Sequence, residues 1–219
     1  MKIWTYGCSF TSGYNELQFT DEVWTNKLTL NQPYSLKNRA QGGGGFHDVR
    51  RHLLRDIGEI NSDDLIIIQL PTSNRVCIPY FQTEWDSFMR IVNEHPEGTI
   101  GWLHYLKDRD DLIDALAEEA IVLFELLNRL KLKWMWWSSE RTSHLLDKFD
   151  YNRLILEEYF SYEDWIWNNR QYWIKEDDWH QNIEGHNKLA NIFSKQISTF
   201  LGGGFSSSST KSPRANLNI

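Results

Sequence analysis

The segment Gly7-Cys8-Ser9-Phe10-Thr11-Ser12-Gly13 follows a short β-type run, Lys2 to Tyr6, and sets a serine where a strand gives way to a turn. About 170 residues later, Asp177-Asp178-Trp179-His180 offers carboxylates and an imidazole. A serine hydroxyl is a weak nucleophile at neutral pH and attacks a carbonyl only when a neighbouring imidazole takes its proton. The imidazole must itself be oriented, commonly by a carboxylate. Ser9, His180 and Asp177 are therefore read as one acyl-transfer site closed by the fold. Asp177 is preferred to Asp178 because a tight turn over 177–180 would set its first and last side chains together, as residues three apart on a helix are. The competing reading is an exposed acidic loop that caps the last helix.

Two more segments carry chemistry. Asn38-Arg39-Ala40-Gln41-Gly42-Gly43-Gly44-Gly45 leaves a predicted strand and enters a helix. Glycines let backbone amides approach a substrate closely, and a helix start favours negative charge, so an oxyanion could be held here; a flexible connector is the alternative. Gln69-Leu70-Pro71-Thr72-Ser73-Asn74-Arg75 ends the clearest strand. Ligands of open α/β sheets bind just beyond such strand ends, although a simple strand-ending turn has the same composition.

Several other chemistries are disfavoured. Thr11 stands where the nucleophile elbow of the α/β-hydrolases needs glycine. The glycine run lacks the Lys-Ser/Thr pair of a P-loop, and no H-E-x-x-H is present. His180 and His186, six residues apart, diverge on a helix and make a poor zinc pair. His186 shares a helical stripe with Leu189 and Phe193 and reads as a packed histidine. Cys8 beside Ser9 could serve as a thiol nucleophile, but adjacent side chains point apart, and a buried small hydrophobe is its simpler role.

The elements that must position these groups are legible as alternating strands and amphipathic helices, the pattern of a mostly parallel sheet covered on both faces. Strands are predicted over Lys2 to Tyr6, Tyr34 to Asn38, Asp64 to Leu70 and Leu132 to Trp137. Val49, Leu53, Leu54 and Ile57 mark one helical face, and Leu112, Leu116, Ala120, Leu123, Phe124, Leu127 and Leu130 another. A last helix runs from Ile183 to Leu201.

At 219 residues the chain fits one domain. Its formal net charge of -7 argues against a nucleic-acid or anionic-membrane footprint. No apolar stretch approaches the roughly 18 residues of a membrane span. Two cysteines, and a core strand that starts at Lys2 or Ile3, fit a soluble cytoplasmic protein.

Taken in order, the four segments resemble the SGNH hydrolases, also called GDSL esterases and lipases, over about residues 2–201. The first block is similar to Gly7 through Gly13, with Cys8 in place of the usual aspartate. The second-block glycine corresponds to Gly43, and the last block, D-x-x-H, to Asp177 and His180. The third block departs: G-x-N-D is absent, and its asparagine falls to Asn74, or is replaced by Ser73 or Thr72. The resemblance implies a flavodoxin-like three-layer α/β/α fold, an oxyanion hole built on Ser9, Gly43 and that third donor, no metal or organic cofactor, and ester hydrolysis through an acyl-enzyme. Seven of the eleven tryptophans lie between residues 134 and 179. Packing is their simplest role. Trp165, Trp173 or Trp179, if exposed beside Ser9, could stack on a sugar, which favours short acyl or O-acetyl groups on a carbohydrate over lipid esters. The competing class is a non-catalytic module that binds a glycan or a protein on the same fold. Residues 138–176 are expected to form a lid or insertion. Residues 202–219, rich in glycine and serine, are expected to form a flexible tail.

Overall fold

The computed structural model describes residues 1–72, 109–140, 153–155, 161–176 and 178–203. Along the chain its principal elements are β1 (Lys2–Tyr6), α1 (Ser9–Ser12), β2 (Ser35–Asn38), α2 (Phe46–Asp56), β3 (Leu65–Leu70), α3 (Arg109–Arg129), β4 (Lys133–Ser138), α4 (Tyr162–Asn168), β5 (Trp173–Lys175), β6 (Asp178–Gln181) and α5 (Ile183–Leu201).

Every residue of β3 is buried, as an apolar, β-branched run with no polar face requires. It pairs in parallel with β1 on one side and β4 on the other, and β1 pairs in parallel with β2, giving the order β2-β1-β3-β4. Beyond β4, Leu154 makes a single parallel bridge with Trp136, at the position a fifth strand would take. The direction of winding reverses between β1 and β3, so the crevice at their carboxyl ends is the switch point of the sheet. Gly7 to Ser9, and Pro71 and Thr72, follow directly from those ends.

Side-chain alternation divides the core in two. Trp4, Tyr6, Ile66, Ile68, Trp134 and Trp136 face α2 and α3, packing on Val49, Leu53, Leu123, Phe124 and Leu127. Ile3, Leu65, Ile67, Met135 and Trp137 face α4, α5 and the 3-10 turn Trp24–Lys27, where Trp24, Tyr162, Leu189, Phe193 and Ile197 close the layer. Each such large apolar side chain contributes about 1.5–3 kcal/mol by leaving water. This is a three-layer α/β/α arrangement around a parallel sheet. Among the described residues, no helix is long and apolar enough to cross a membrane.

Three details differ from the sequence reading. Leu54 is exposed, because burial on α2 follows Val49, Leu53 and Asp56, and Leu54 turns off that stripe. Leu130 lies past the end of α3 and is also exposed. The third concerns residues 178–181, which form no tight turn: they are β6, paired antiparallel with β5. Within 138–176, α4 supplies the buried Tyr162, Trp165 and Ile166 to the second core layer. The tail from residue 204 onward lies outside the described residues.

Candidate active site

Ser9 is the first residue of α1, with Cys8 as the N-cap; Thr11 and Ser12 N–H groups both donate to the Cys8 carbonyl. Being first in the helix, the Ser9 N–H has no acceptor within it. Gln69, fully buried at the end of β3, fastens this turn from below. Its Oε1 accepts from the Cys8 N–H at 3.0 Å and the Thr11 hydroxyl at 2.6 Å, while its Nε2 donates to Cys8 Sγ and, at 2.6 Å, to Ser139 Oγ. Gly7 is required by that approach: a Cβ there would collide with Gln69 Oε1, and would lie 2.7 Å from Thr11 Oγ1. Cys8 is buried and bonded to Gln69, the packing role expected of it.

The glycine loop is drawn alongside by the backbone. Arg39 N–H donates to the Thr5 carbonyl and Gln41 N–H to the Gly7 carbonyl, continuing the β1–β2 pairing past the strand ends. A turn closed by Gly44 N–H on the Gln41 carbonyl follows, with Gly43 at φ 74°, a conformation side-chain-bearing residues rarely adopt. Asn38 adds a clasp, donating to the Thr11 carbonyl and accepting from the Ala40 N–H.

The far end of the chain reaches Ser9 through one carbonyl. Phe10 C=O accepts from Trp24 Nε1 and from Gln181 Nε2, so the residue after Ser9 is bonded to the residue after His180. Ser9 Oγ lies 2.8 Å from His180 Nε2. On the other side of the ring, His180 Nδ1 lies 2.6 Å from Asp178 Oδ1, which also accepts the His180 backbone N–H. A carboxylate only accepts, so Nδ1 carries the proton and Nε2 presents a lone pair to the serine hydroxyl. Burial by itself would raise the Asp178 carboxyl; the ring and backbone hydrogen bonds from His180, helped by Lys175, outweigh it and hold the group below its ordinary value. The imidazole is further confined by Tyr14, stacked at 3.8 Å and 8°, and by Phe10 at 4.8 Å.

Among the described residues the carboxylate on His180 is that of Asp178, one residue after the expected Asp177. In a strand, side chains two apart share a face, so β6 points Asp178 and His180 the same way and turns Trp179 and Gln181 to the other. Asp177 lies outside the described residues. Ser73 and Asn74 do too, whereas Thr72 is described and buried just past β3. The proposed sugar platform is also revised. Trp165 is buried in the core against Tyr172, so no ligand can stack on it. Trp179 packs on Phe10 and Tyr162, and Trp173 sets its Nε1 on the Ile166 carbonyl with its ring against Trp167. His186 is the packed histidine expected: its Nδ1 accepts the Trp24 N–H, and burial pushes its pKa down to about 3. The sequence offers Gln69 only as part of the strand-end segment, with no sign that its amide clasps the serine turn, and nothing in the neighbourhood of Tyr14 distinguishes a loop tyrosine. Among the described residues, no cluster of His, Cys, Asp and Glu could hold a metal ion.

No protein-family model matches the sequence, and no curated protein matches it. Among solved structures, the chain is similar to a candidate GDSL-like lipase from Parabacteroides merdae ATCC 43184, with a TM-score of 0.51 and 12% identity over 91% of this chain and 95% of that one. A candidate lipolytic protein of the G-D-S-L family from Desulfitobacterium hafniense DCB-2 aligns over 89% of this chain and 98% of that one, at 14% identity and a TM-score of 0.44. The sheet order, the helical layers on both of its faces and the first of these likenesses agree: this chain has a three-layer α/β/α fold, shared with the Parabacteroides merdae protein.

Proposed function

We propose that this protein is a serine esterase of the SGNH type that hydrolyses a carboxylic ester through an acyl-enzyme. The observation that carries the reading is the continuous line from Ser9 Oγ to His180 Nε2, 2.8 Å, and from His180 Nδ1 to Asp178, 2.6 Å, between groups about 170 residues apart in sequence. Ser9 attacks the ester carbonyl as its proton passes to Nε2. Asp178 stabilises the imidazolium that forms. The Ser9 and Gly43 N–H groups face the developing oxyanion, with a third donor from Thr72, Ser73 or Asn74; one such donor is typically worth roughly 100- to 1000-fold in turnover. The imidazolium then protonates the leaving alcohol, the acyl-enzyme forms, and water activated by the same imidazole releases the acid.

Within that class the substrate is taken to be a small ester, with short acyl or O-acetyl groups on a carbohydrate as the first to try. A panel of aryl and acetylated-sugar esters, assayed with wild type, Ser9→Ala and His180→Ala, tests the assignment. Wild type should turn over at least one ester, and each variant should lose on the order of 10⁴-fold or more in kcat. Folded protein that binds an acetylated glycan without turnover, and binds it equally as Ser9→Ala, would support the binding-module reading instead.

A further inference from the structure

Tyr14 takes no part in the proton relay, yet its ring lies on the imidazole at the separation and near-parallel angle of a full stack, 3.8 Å and 8°. It follows Gly13, whose φ of 84° and lack of space for a Cβ, 2.7 Å from Val23 Cγ2, send the chain back over the site. The stack is therefore imposed by the backbone at the end of α1, the helix that begins with the nucleophile. An aromatic face attracts a cation far more than a neutral ring, most strongly where water is excluded. His180 changes from neutral to cationic when it takes the serine proton, so contact with that face strengthens as the reaction proceeds.

We propose that Tyr14 is a positioning residue for His180: its ring holds the imidazole in line with Ser9 and favours the protonated state. The inference rests on the hydrolase reading for its catalytic consequence, but not for its electrostatic one. Besides Tyr14, the Phe10 ring lies 4.8 Å from the imidazole and stays in place in every Tyr14 variant, and the polar and charged groups around His180 come from other elements. Asp178 lies on Nδ1 and the Ser9 hydroxyl on Nε2. Lys175 on β5 and Tyr162 on α4 interact with Asp178, and His186 on α5 interacts with His180 and is held neutral by burial. None of these is altered by substituting Tyr14, which makes the ring's contribution separable.

The experiment is NMR titration of histidine-labelled wild type, Tyr14→Phe and Tyr14→Leu, with the His180 signal assigned from its loss in His180→Ala, alongside pH profiles of ester hydrolysis. Tyr14→Met serves as a second non-aromatic variant if Tyr14→Leu does not fold. The His180 midpoint should fall by about 0.5–1 pH unit without the aromatic face and be restored in Tyr14→Phe. Where ester turnover is measurable, the acid limb of kcat/KM should move with it, and kcat should drop about 3- to 10-fold with KM little changed. An unchanged midpoint in the leucine or methionine variant overturns the proposal, whatever happens to kcat. Absence of ester turnover in wild type would fell the hydrolase reading, while the NMR midpoints would still decide the role of Tyr14.

Discussion

At the scale of single residues, the account turns on which carboxylate serves His180. Asp178 accepts two hydrogen bonds from that residue, one from the ring and one from the backbone. Asp178→Asn removes the charge that fixes the proton on Nδ1, and kcat should fall by on the order of 10³- to 10⁴-fold, with Asp177→Asn costing far less. The reverse order of effects in steady-state kinetics would transfer the role to Asp177. Ser9 and His180 were legible together rather than singly, because a strand-end serine alone suggests an ordinary turn, whereas several segments in order, each beside a suitable strand or helix, point to one site. The partner was not, because choosing between i−2 and i−3 requires knowing whether the backbone is strand or turn. β6 is only four residues long and carries a tryptophan and a histidine that alternation alone cannot sort.

Among elements, the buried amide of Gln69 joins the end of β3 to the start of α1 and to Ser139 just past β4. Gln69→Leu keeps much of the volume but strands the Cys8 N–H and the Thr11 and Ser139 hydroxyls away from water. Each orphaned group costs about 1–3 kcal/mol, so with three of them a loss of at least about 3 kcal/mol in urea unfolding is expected, together with reduced turnover. A change within about 0.5 kcal/mol would mean that the clasp contributes little. The four sheet strands could be read from the sequence almost to the residue, since runs such as Leu65-Ile66-Ile67-Ile68 have no alternative to double-sided burial. The β5–β6 hairpin could not: its strands are short, half-exposed and stabilised by tertiary contacts, among them the Tyr162 hydroxyl donating to the Trp179 carbonyl and Gln181 Oε1.

For the molecule as a whole, the first and last thirds of the chain are held together on the second face of the sheet, and His186 is one of the bonds that join them. It accepts the Trp24 N–H only while neutral, and its pKa of about 3 in the folded protein lies below the ordinary 6.5. The unfolded chain therefore binds a proton that the folded chain refuses. His186 contributes fully above about pH 6.5, and stability is lost as pH falls from there toward 3, by at most about 1.4 kcal/mol per pH unit. The urea midpoint should drop between pH 7 and 5 in wild type and less in His186→Gln; equal slopes would remove His186 as the cause. The same joining of chain ends underlies the catalytic reading, because it sets Phe10 against Gln181 and hence Ser9 against His180. The most direct measurement is peptide mapping by mass spectrometry after incubating the native protein with a fluorophosphonate. A single adduct on Ser9, absent in His180→Ala, is the predicted result; folded protein that stays unlabelled, or carries the label on another residue, would contradict the account.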